Sequence, residues 1–168
     1  MLERRVVTNQ YEGQAASEWP DFQLRWDRSP ARFHLAHDGL SPCQLDADDY
    51  VIRDVRIRDL DARLSHYNYR GPGELWSVGC ARKTNRCIEH WLDGNEMTPP
   101  CVVGWQGRYL VLAGGNHRLA VAREKGVVEV PILQHIINVG DIDKILRCAP
   151  PSPAERGFPD DYPPALLP

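Results

Sequence analysis

The sequence predicts a single α/β domain. The chain has 168 residues, enough to build one hydrophobic core, and 42% of them are hydrophobic, as in an ordinary globular protein. Segments with the alternating apolar pattern of a strand are interspersed with segments that have the apolar spacing of a helix. Such a succession is typical of α/β folds.

The first predicted strand and helix follow Tyr50. In "YVIRDVRIRDL", apolar residues alternate with polar ones, which indicates a half-buried strand. A Gly-Pro-Gly break comes later, and the apolar spacing after it predicts a helix over residues 74–92. Gly94 and Asn95 are typical of the residues that end a helix.

A strand pair comes next, and the chain then continues as helix, strand and helix. The pair is predicted at residues 102–103 and 109–112, with a tight turn at Gln106 and Gly107. The three elements after it are predicted in "GGNHRLAVAREKG", "VEVPILQHI" and "GDIDKILRC".

The two ends of the chain differ from its centre. Residues 1–50 form an irregular extension, in which "FQLRWD" and "RFHLAHD" predict two strands of a hairpin around "RSPA". Trp19 and Trp26 in this extension either cover the core or form a partner surface. Seven prolines fall within residues 149–168, which predicts an extended or poorly ordered tail. The α/β domain itself is therefore expected over residues 51–148.

The composition argues against several classes of protein. A net charge of −3 has the wrong sign for a dedicated DNA-binding domain. No apolar run is long enough to cross a membrane, and "MLERRVVTNQ" lacks the apolar centre of a secretory signal, so we expect a cytoplasmic protein with no membrane partner. Five cysteines without a CxxC spacing argue against a disulfide framework and indicate free thiols in a reducing compartment.

The stretch "GGNHRLAVAREKG" places glycines and polar residues at the start of a predicted helix. Unpaired backbone N–H groups and the helix dipole favour an anion at such a start. Gly114 and Gly115 would let the backbone approach a ligand, and Asn116 would cap the helix. Arg118 offers a planar fork for two phosphate oxygens, and His117 can donate to phosphate or transfer a proton. A tight turn before a capped helix, with no ligand, is the alternative.

Residues 99–134, "PPCVVGWQGRYLVLAGGNHRLAVAREKGVVEVPILQ", resemble the core of the ParB/sulfiredoxin superfamily. Members share a proline-led strand, a second strand that ends in a Gly-X-polar-Arg turn, a helix with small residues, and a glycine before a Val-Pro strand. The resemblance extends over residues 51–137. It implies a small mixed sheet flanked by helices, with the "GGNHR" turn as a phosphate cradle.

The superfamily divides by the residues of this turn. Sulfiredoxins carry Gly-Cys-His-Arg, and because Asn116 replaces their cysteine, reduction of sulfinic acids is not expected. ParB partition proteins carry Gly-Glu-Arg-Arg, bind CTP and add a helix-turn-helix domain, and no recognition helix is expected after Ile137. The free-serine kinases carry Asp-Gly-His-His-Arg, which "GGNHR" resembles closely, with Gly114 in place of Asp and Asn116 in place of the first His. Their catalytic Glu has no clear counterpart, and Asp59 or Asp61 is the nearest carboxylate.

The resemblance implies a nucleotide hydrolase or phosphotransferase that acts on a small molecule, with ATP, ADP or CTP and Mg²⁺ as cofactors. His117 and Asp61 are then the candidate catalytic residues. Cys80, Cys87 and His90 fall near one helix face, but zinc ligands usually lie closer in sequence, so we expect no metal site built by protein side chains. The alternatives are a non-catalytic binding or effector module and a ParB-like DNA-binding or nuclease protein. The sequence does not indicate an oligomeric state.

The predicted helix over residues 74–92 also carries a basic cluster, made of Arg82, Lys83 and Arg86. The cluster is either a solvated helix face or a second contact for phosphate. In members of the superfamily this helix lies beside the nucleotide, so the resemblance implies that Arg82 and Arg86 bind the nucleotide together with the "GGNHR" turn.

Overall fold

In a computed structural model, the chain forms a mixed four-stranded sheet accompanied by helices, which confirms the α/β class. The structure describes residues 9–37, 42–65, 70 and 73–152. The strands are β1 (Tyr50–Arg56), β2 (Cys101–Trp105), β3 (Tyr109–Gly114) and β4 (Glu129–His135), in the order β1-β4-β2-β3. The pairs β1/β4 and β2/β3 are antiparallel, and β2 lies parallel to β4.

The helices of the described residues are α1 (Ile57–Asp61), α2 (Ala81–Leu92), α3 (Asn116–Glu124) and α4 (Val139–Arg147). Short 3₁₀ turns lie at Ala16–Glu18, Pro30–Ala36, Pro42–Gln44, Ala47–Asp49 and Ile136–Asn138. In this part of the chain, none of the helices has the length and apolar character needed to cross a membrane.

Helix α3 lies at the centre of the fold because more than one of its faces is buried. Leu119 and Ala122 belong to the apolar cluster that the sheet forms with α1 and α4. Ala120 and Val121 belong to a second cluster, which α2 forms together with the N-terminal extension. Packing on both sides fixes the start of α3, and with it the turn at the end of β3, between the sheet and α2.

The predicted strand pair and its turn are confirmed. Gln106 and Gly107 have φ angles of 50° and 62°, and the N–H of Arg108 donates to the carbonyl of Trp105 at 3.1 Å. Two successive left-handed residues are the signature of the tight turn that matches the twist of paired strands. The helix, strand and helix predicted after the pair are present as α3, β4 and α4.

The predicted start of helix α2, at residue 74, is wrong. Helix α2 begins at Ala81, whereas residues 75–77 form a separate turn. Gly79 has a φ of 85°, a left-handed conformation that a right-handed helix cannot include, and Cys80 takes the N-cap position. The first predicted strand is also shorter than expected, since the chain turns into α1 at Ile57.

The predicted hairpin in residues 1–50 is wrong as well. The segment Pro30–Ala36 is a 3₁₀ turn with proline at its start, and Trp26 makes only an isolated bridge to Met97. Trp19 is buried and stacks on Phe22. The described part of the extension therefore covers the core. Of the predicted proline-rich tail, residues 153–168 lie outside the described residues.

Candidate functional site

A pocket of about 460 Å³ lies at the start of α3, and its volume is within the range of small-molecule sites. Its walls come from the β3–α3 turn, from one side of α2, from the 3₁₀ turn Pro30–Ala36 and from the segment that leads into β2. The lining residues are Arg32, Leu35, Lys83, Arg86, Cys87, His90, Glu96, Met97, Thr98 and residues 113–118.

The two glycines of the turn are required by close contacts within the chain itself. A Cβ on Gly114 would collide with the carbonyl oxygen of Ala36, and a Cβ on Gly115 would lie 2.6 Å from Cα of Pro100. Gly115 also has a φ of 87°, in the left-handed region. From the sequence, Gly114 and Gly115 were expected to let the backbone approach a ligand closely. The structure shows that the space beside them is filled by neighbouring backbone.

The predicted capping role of Asn116 is wrong. Asn116 is the first residue of α3, and the N-cap position is taken by Gly115, which has no side chain to cap the helix. Because the left-handed turn occurs at Gly115, the helix starts one residue earlier than a cap at Asn116 would allow. Asn116 still lines the pocket, next to the first turn of α3.

Arg118 lies at the inner wall of the pocket, where it is only 9% exposed. Its Nη1 donates to the carbonyl of Thr98, and its Nη2 donates to the carbonyl of Ala36 at 3.3 Å. The guanidinium thus ties α3 to two other walls of the pocket. The guanidinium lines the pocket, and its N–H groups bond the backbone carbonyls of Thr98 and Ala36. The sequence did not predict this structural role.

His117 connects α3 with the start of α2. Its Nε2 accepts a hydrogen bond from the backbone N–H of Cys80 at 3.1 Å. A neutral imidazole that accepts at Nε2 carries its proton on Nδ1. Proton transfer at Nε2, the catalytic role predicted for His117, would require this bond to break.

Only part of the basic cluster of α2 lies at the pocket. Lys83 and Arg86 line the pocket, whereas Arg82 is exposed and is not among the lining residues. Arg32 adds a further positive charge from the 3₁₀ turn Pro30–Ala36, and it also pairs with Asp27 at 3.4 Å. Of Arg82 and Arg86, the two arginines of this helix that were predicted to bind phosphate, only Arg86 lines the pocket.

Asp61, the predicted catalytic carboxylate, lies outside the pocket. It accepts hydrogen bonds from Arg123 in a bidentate pair, with 2.7 Å between Nε and Oδ2. Arg123 is on the last turn of α3, whereas His117 is on its first, and six residues of helix span roughly 9 Å. The catalytic role of Asp61 stays a prediction that this pairing does not favour.

Sequence reasoning missed the pocket residues Arg32, Leu35 and Glu96. Glu96 is the only carboxylate among the described residues that line the pocket. The segment with Arg32 and Leu35 was interpreted as a strand, and no pattern in it indicates that it returns to the start of α3. Glu96 follows the end of α2 without a motif that could have identified it.

Cys87 lines the pocket, but its thiol is poorly suited to chemistry there. Burial raises the pKa of Cys87 to about 11, despite the opposing charges of Arg118 and Arg70. The thiol form therefore prevails near neutral pH, and the thiolate is the reactive form. In the part of the chain that the structure describes, no group of three or more His, Cys, Asp or Glu side chains could hold a metal ion.

His37, beside the pocket wall, should make stability depend on pH. It is buried, and neither ring nitrogen has a hydrogen-bond partner among the described residues. Burial, and then the charge of Arg118, lowers its pKa below the ordinary value of 6.5. The unfolded chain thus binds the proton first on acidification. The contribution of neutral His37 to the free energy of unfolding is complete above pH 6.5. It is lost as the pH falls through the pKa of His37 in the folded protein, by up to about 1.4 kcal/mol per pH unit.

We expect the free energy of unfolding, measured by urea titration at several pH values, to be flat from pH 8 to 7 and to fall below about pH 6.5. Replacing His37 by Phe keeps a ring against Tyr50, which lies 6.0 Å away between centroids. The variant should lose the part of the acid slope that His37 contributes. An unchanged slope in His37→Phe would show that other groups carry the pH dependence.

Comparison of the chain with known protein families, with curated proteins and with solved structures found no match in any of the three. The fold class is therefore established by the architecture alone, as a small α/β domain with a mixed sheet. The resemblance to the ParB/sulfiredoxin superfamily stays a prediction.

Proposed function

We propose that the protein binds a phosphorylated small molecule, with a nucleotide as the leading candidate, in the pocket at the start of α3. One observation carries the proposal: the lining includes the cations Arg32, Lys83, Arg86 and Arg118 but one carboxylate among its described residues, Glu96. Such an excess of positive charge in a concave site attracts and holds an anion. The N-terminus of α3 adds a partial positive charge at the same wall.

The rest of the lining suits the organic part of such a ligand. Leu35 is half exposed and lines the pocket together with Met97 and Ala113. A flat or apolar group could pack on these side chains while its phosphates lie near Lys83 and Arg86. In this arrangement Arg118 positions the walls through its backbone hydrogen bonds, and the exposed cations supply the direct contacts.

Phosphoryl transfer or hydrolysis is the proposed reaction if the ligand is turned over. Such chemistry needs mainly positioning and charge neutralisation, and Mg²⁺ supplies part of that neutralisation when it is bound. Mg²⁺ is usually held by one or two carboxylates together with the phosphates of the substrate. Glu96 is the pocket carboxylate that suits this role, and it could equally orient a water molecule or an acceptor hydroxyl.

A binding module without turnover is the second candidate, because both predicted catalytic groups already make structural bonds. Nε2 of His117 accepts from Cys80, and the carboxylate of Asp61 is paired with Arg123. Conversion of ATP to ADP, or of CTP to CDP, separates the two candidates, because it accompanies both hydrolysis and transfer of the phosphoryl group to an acceptor. It should be measured with and without small hydroxyl compounds as acceptors. Turnover that is lost in Glu96→Gln supports an enzyme, whereas binding without any such conversion supports a module.

The DNA-binding alternative is disfavoured by the pairing of the arginines around β1. Arg53 pairs with Asp143, Arg56 with Glu129 at 3.6 Å, and Arg58 with Asp59 at 3.8 Å. These partly or fully exposed ion pairs are weak, but the carboxylates beside the arginines lower the positive potential that this face presents to DNA. In a plot of the logarithm of DNA affinity against the logarithm of salt concentration, we expect a negative slope of at most about two.

A thermal-shift panel of ATP, ADP, CTP, GTP and phosphorylated small molecules, with and without Mg²⁺, tests the proposal. A ligand at 100 times its dissociation constant should stabilise the protein by about 2.7 kcal/mol. Arg86→Gln should weaken binding by about 1.5–3 kcal/mol, the range for a hydrogen bond to a charged group.

Arg82→Gln is the matched control, since it removes the same charge from the same helix outside the pocket. It should leave the affinity nearly unchanged. Equal losses in the two variants would mean that the effect comes from overall charge, and no shift with any phosphate compound would refute the proposal.

A further inference from the structure

The 3₁₀ turn Pro30–Ala36, which forms one wall of the pocket, makes local backbone hydrogen bonds. The N–H of Arg32 donates to the carbonyl of Ser29 at 3.0 Å, and the N–H of His37 donates to the carbonyl of His34 at 3.3 Å. Neither bond reaches a strand or another helix. A segment whose backbone is bonded in this way opens at a lower free energy than the paired strands of a sheet.

Two side chains tie this wall to the rest of the pocket. Nη2 of Arg118 donates to the carbonyl of Ala36, and Oγ1 of Thr98 donates to the carbonyl of Arg32, each at 3.3 Å. Both distances lie beyond the usual range for such bonds, so each bond is weaker than a well-formed one. The packing of buried side chains must therefore supply much of the hold on the wall.

Phe33 and Ala36 provide this packing, since they lie in one buried cluster with Cys101 of β2 and Leu133 of β4. Cys101 is only 1% exposed. If the wall left its place, two members of the cluster would leave with it, and the thiol of Cys101 would reach solvent. The reactivity of this thiol therefore reports on the position of the wall.

His37 follows the wall directly and is the buried group through which pH can act on it. It is 6% exposed, and neither ring nitrogen has a hydrogen-bond partner among the described residues. Its Cα lies beside the β3–α3 turn, 3.5 Å from the place of a Cβ on Gly114. Burial, and then the charge of Arg118, holds the pKa of His37 below 6.5. A proton on the ring is thus unfavourable while the wall is in place and becomes favourable once the ring reaches water.

The groups around His37 do not offset a proton on its ring. Tyr50 of β1 lies 6.0 Å away between ring centroids, and burial raises its pKa above 10.0, so it is neutral. Burial likewise raises the pKa of Cys101 to about 12. The carboxylate of Asp49 lies 3.9 Å from Nε2 of His135, which pairs it with that histidine of β4. Among the described residues, a protonated His37 therefore faces the positive charge of α3 without a hydrogen-bond acceptor.

We propose that mild acid releases the wall Pro30–Ala36 from the pocket before the rest of the fold unfolds, with His37 as the group that takes up the proton. Release hydrates the charged ring and relieves its repulsion with Arg118. It also removes Arg32 and Leu35 from the pocket lining, so the pocket is closed at neutral pH and open in mild acid. The effect on a ligand rests on the proposed function, whereas the release itself does not.

Alkylation of Cys101 by N-ethylmaleimide, followed by mass spectrometry of its peptide, tests the release. Comparison with a synthetic peptide around Cys101 at the same pH gives a protection factor that is free of the intrinsic pH dependence of the thiol. From about pH 7.5 to about pH 5.5 we expect this factor to fall several-fold, and by at most about tenfold, because one proton is taken up. Low concentrations of urea should hardly change the rate, since local release exposes far less surface than global unfolding.

His37→Phe keeps a ring that cannot take up a proton, so the fall should disappear in this variant and in His37→Gln. His34→Phe is the matched control, because it makes the same change at a partly exposed position of the wall, and it should keep the fall. The proposal is overturned if the wild type shows no fall, if both His37 variants keep it, or if the rate rises steeply with urea.

The affinity for ATP provides a separate readout of the link between the wall and the ligand. Between the same two pH values it should fall more in the wild type than in His37→Phe, in which the phosphates of the ligand still titrate. Equal falls would refute the link to the ligand. If ATP and the other nucleotides did not bind at all, the proposed function would fail, and the alkylation of Cys101 would still decide whether the wall is released.

Discussion

Replacing Gly115 by Ala is expected to destabilise the protein by about 2–4 kcal/mol and to abolish ligand binding at the start of α3. A left-handed residue with a side chain is unfavourable by about 1–2 kcal/mol, and Gly115 has a φ of 87°. The new Cβ would also lie 2.6 Å from Cα and 2.8 Å from Cβ of Pro100, so the backbone must move. The free energy of unfolding from denaturant titration measures the effect.

Gly126 provides the matched control at the other end of α3. It has a φ of 72°, but a Cβ there would meet nothing within 4 Å. Gly126→Ala should therefore lose only about 1–2 kcal/mol, for the left-handed conformation alone, and should retain the pocket. Equal destabilisation by the two substitutions would contradict the close packing of the turn on Pro100.

Replacing Arg118 by Gln is expected to destabilise the fold by about 2–4 kcal/mol as well as to weaken ligand binding. The substitution removes the donors to the carbonyls of Thr98 and Ala36, and it leaves those acceptors in a buried place. Because the two bonds join separate walls, losing them should loosen the 3₁₀ turn Pro30–Ala36. Thermal unfolding and binding should be measured on the same preparation.

Arg86→Gln separates the two roles of a pocket arginine. Arg86 is exposed and lines the same pocket, so its replacement should weaken binding with a change in stability below about 0.5 kcal/mol. If Arg118→Gln lowered affinity while stability stayed at the wild-type level, Arg118 would be a direct ligand contact and its structural role would be disproved.

Local patterns in the sequence predicted the sheet and the helix that carries the pocket. The alternation after Tyr50, the Gln106-Gly107 turn and the apolar spacing of α3 act over a few residues. Each predicted element is present, although β1 ends at Arg56, earlier than predicted. The start of α2 could not be predicted in this way, because the apolar spacing continues across Gly79. The left-handed conformation of Gly79 and the extended conformation of Cys80 interrupt the helix there.

The candidate site depends on contacts between distant parts of the chain, and the sequence predicted only its central turn. Residues 114–118 and Arg86, which were predicted to bind phosphate, line the pocket. The position of the segment with Arg32 and Leu35 could not be foreseen, because it depends on tertiary contacts. These include the bond between Arg118 and Ala36 and the packing of Phe33 against the sheet. Asp61 was chosen by proximity in sequence, and its pairing with Arg123 is a tertiary contact that no local pattern reveals.

Amide NMR spectra of the ¹⁵N-labelled protein, recorded during titration with nucleotides and Mg²⁺, show directly whether a phosphate compound binds at the start of α3. We expect saturable shifts concentrated at Gly114, Gly115, Asn116 and His117, with further changes near Arg86. We also expect Arg86→Gln to move the titration to higher ligand concentration. No shift with any phosphate compound, or shifts that cluster away from the start of α3, would contradict the assignment of this pocket as the ligand site.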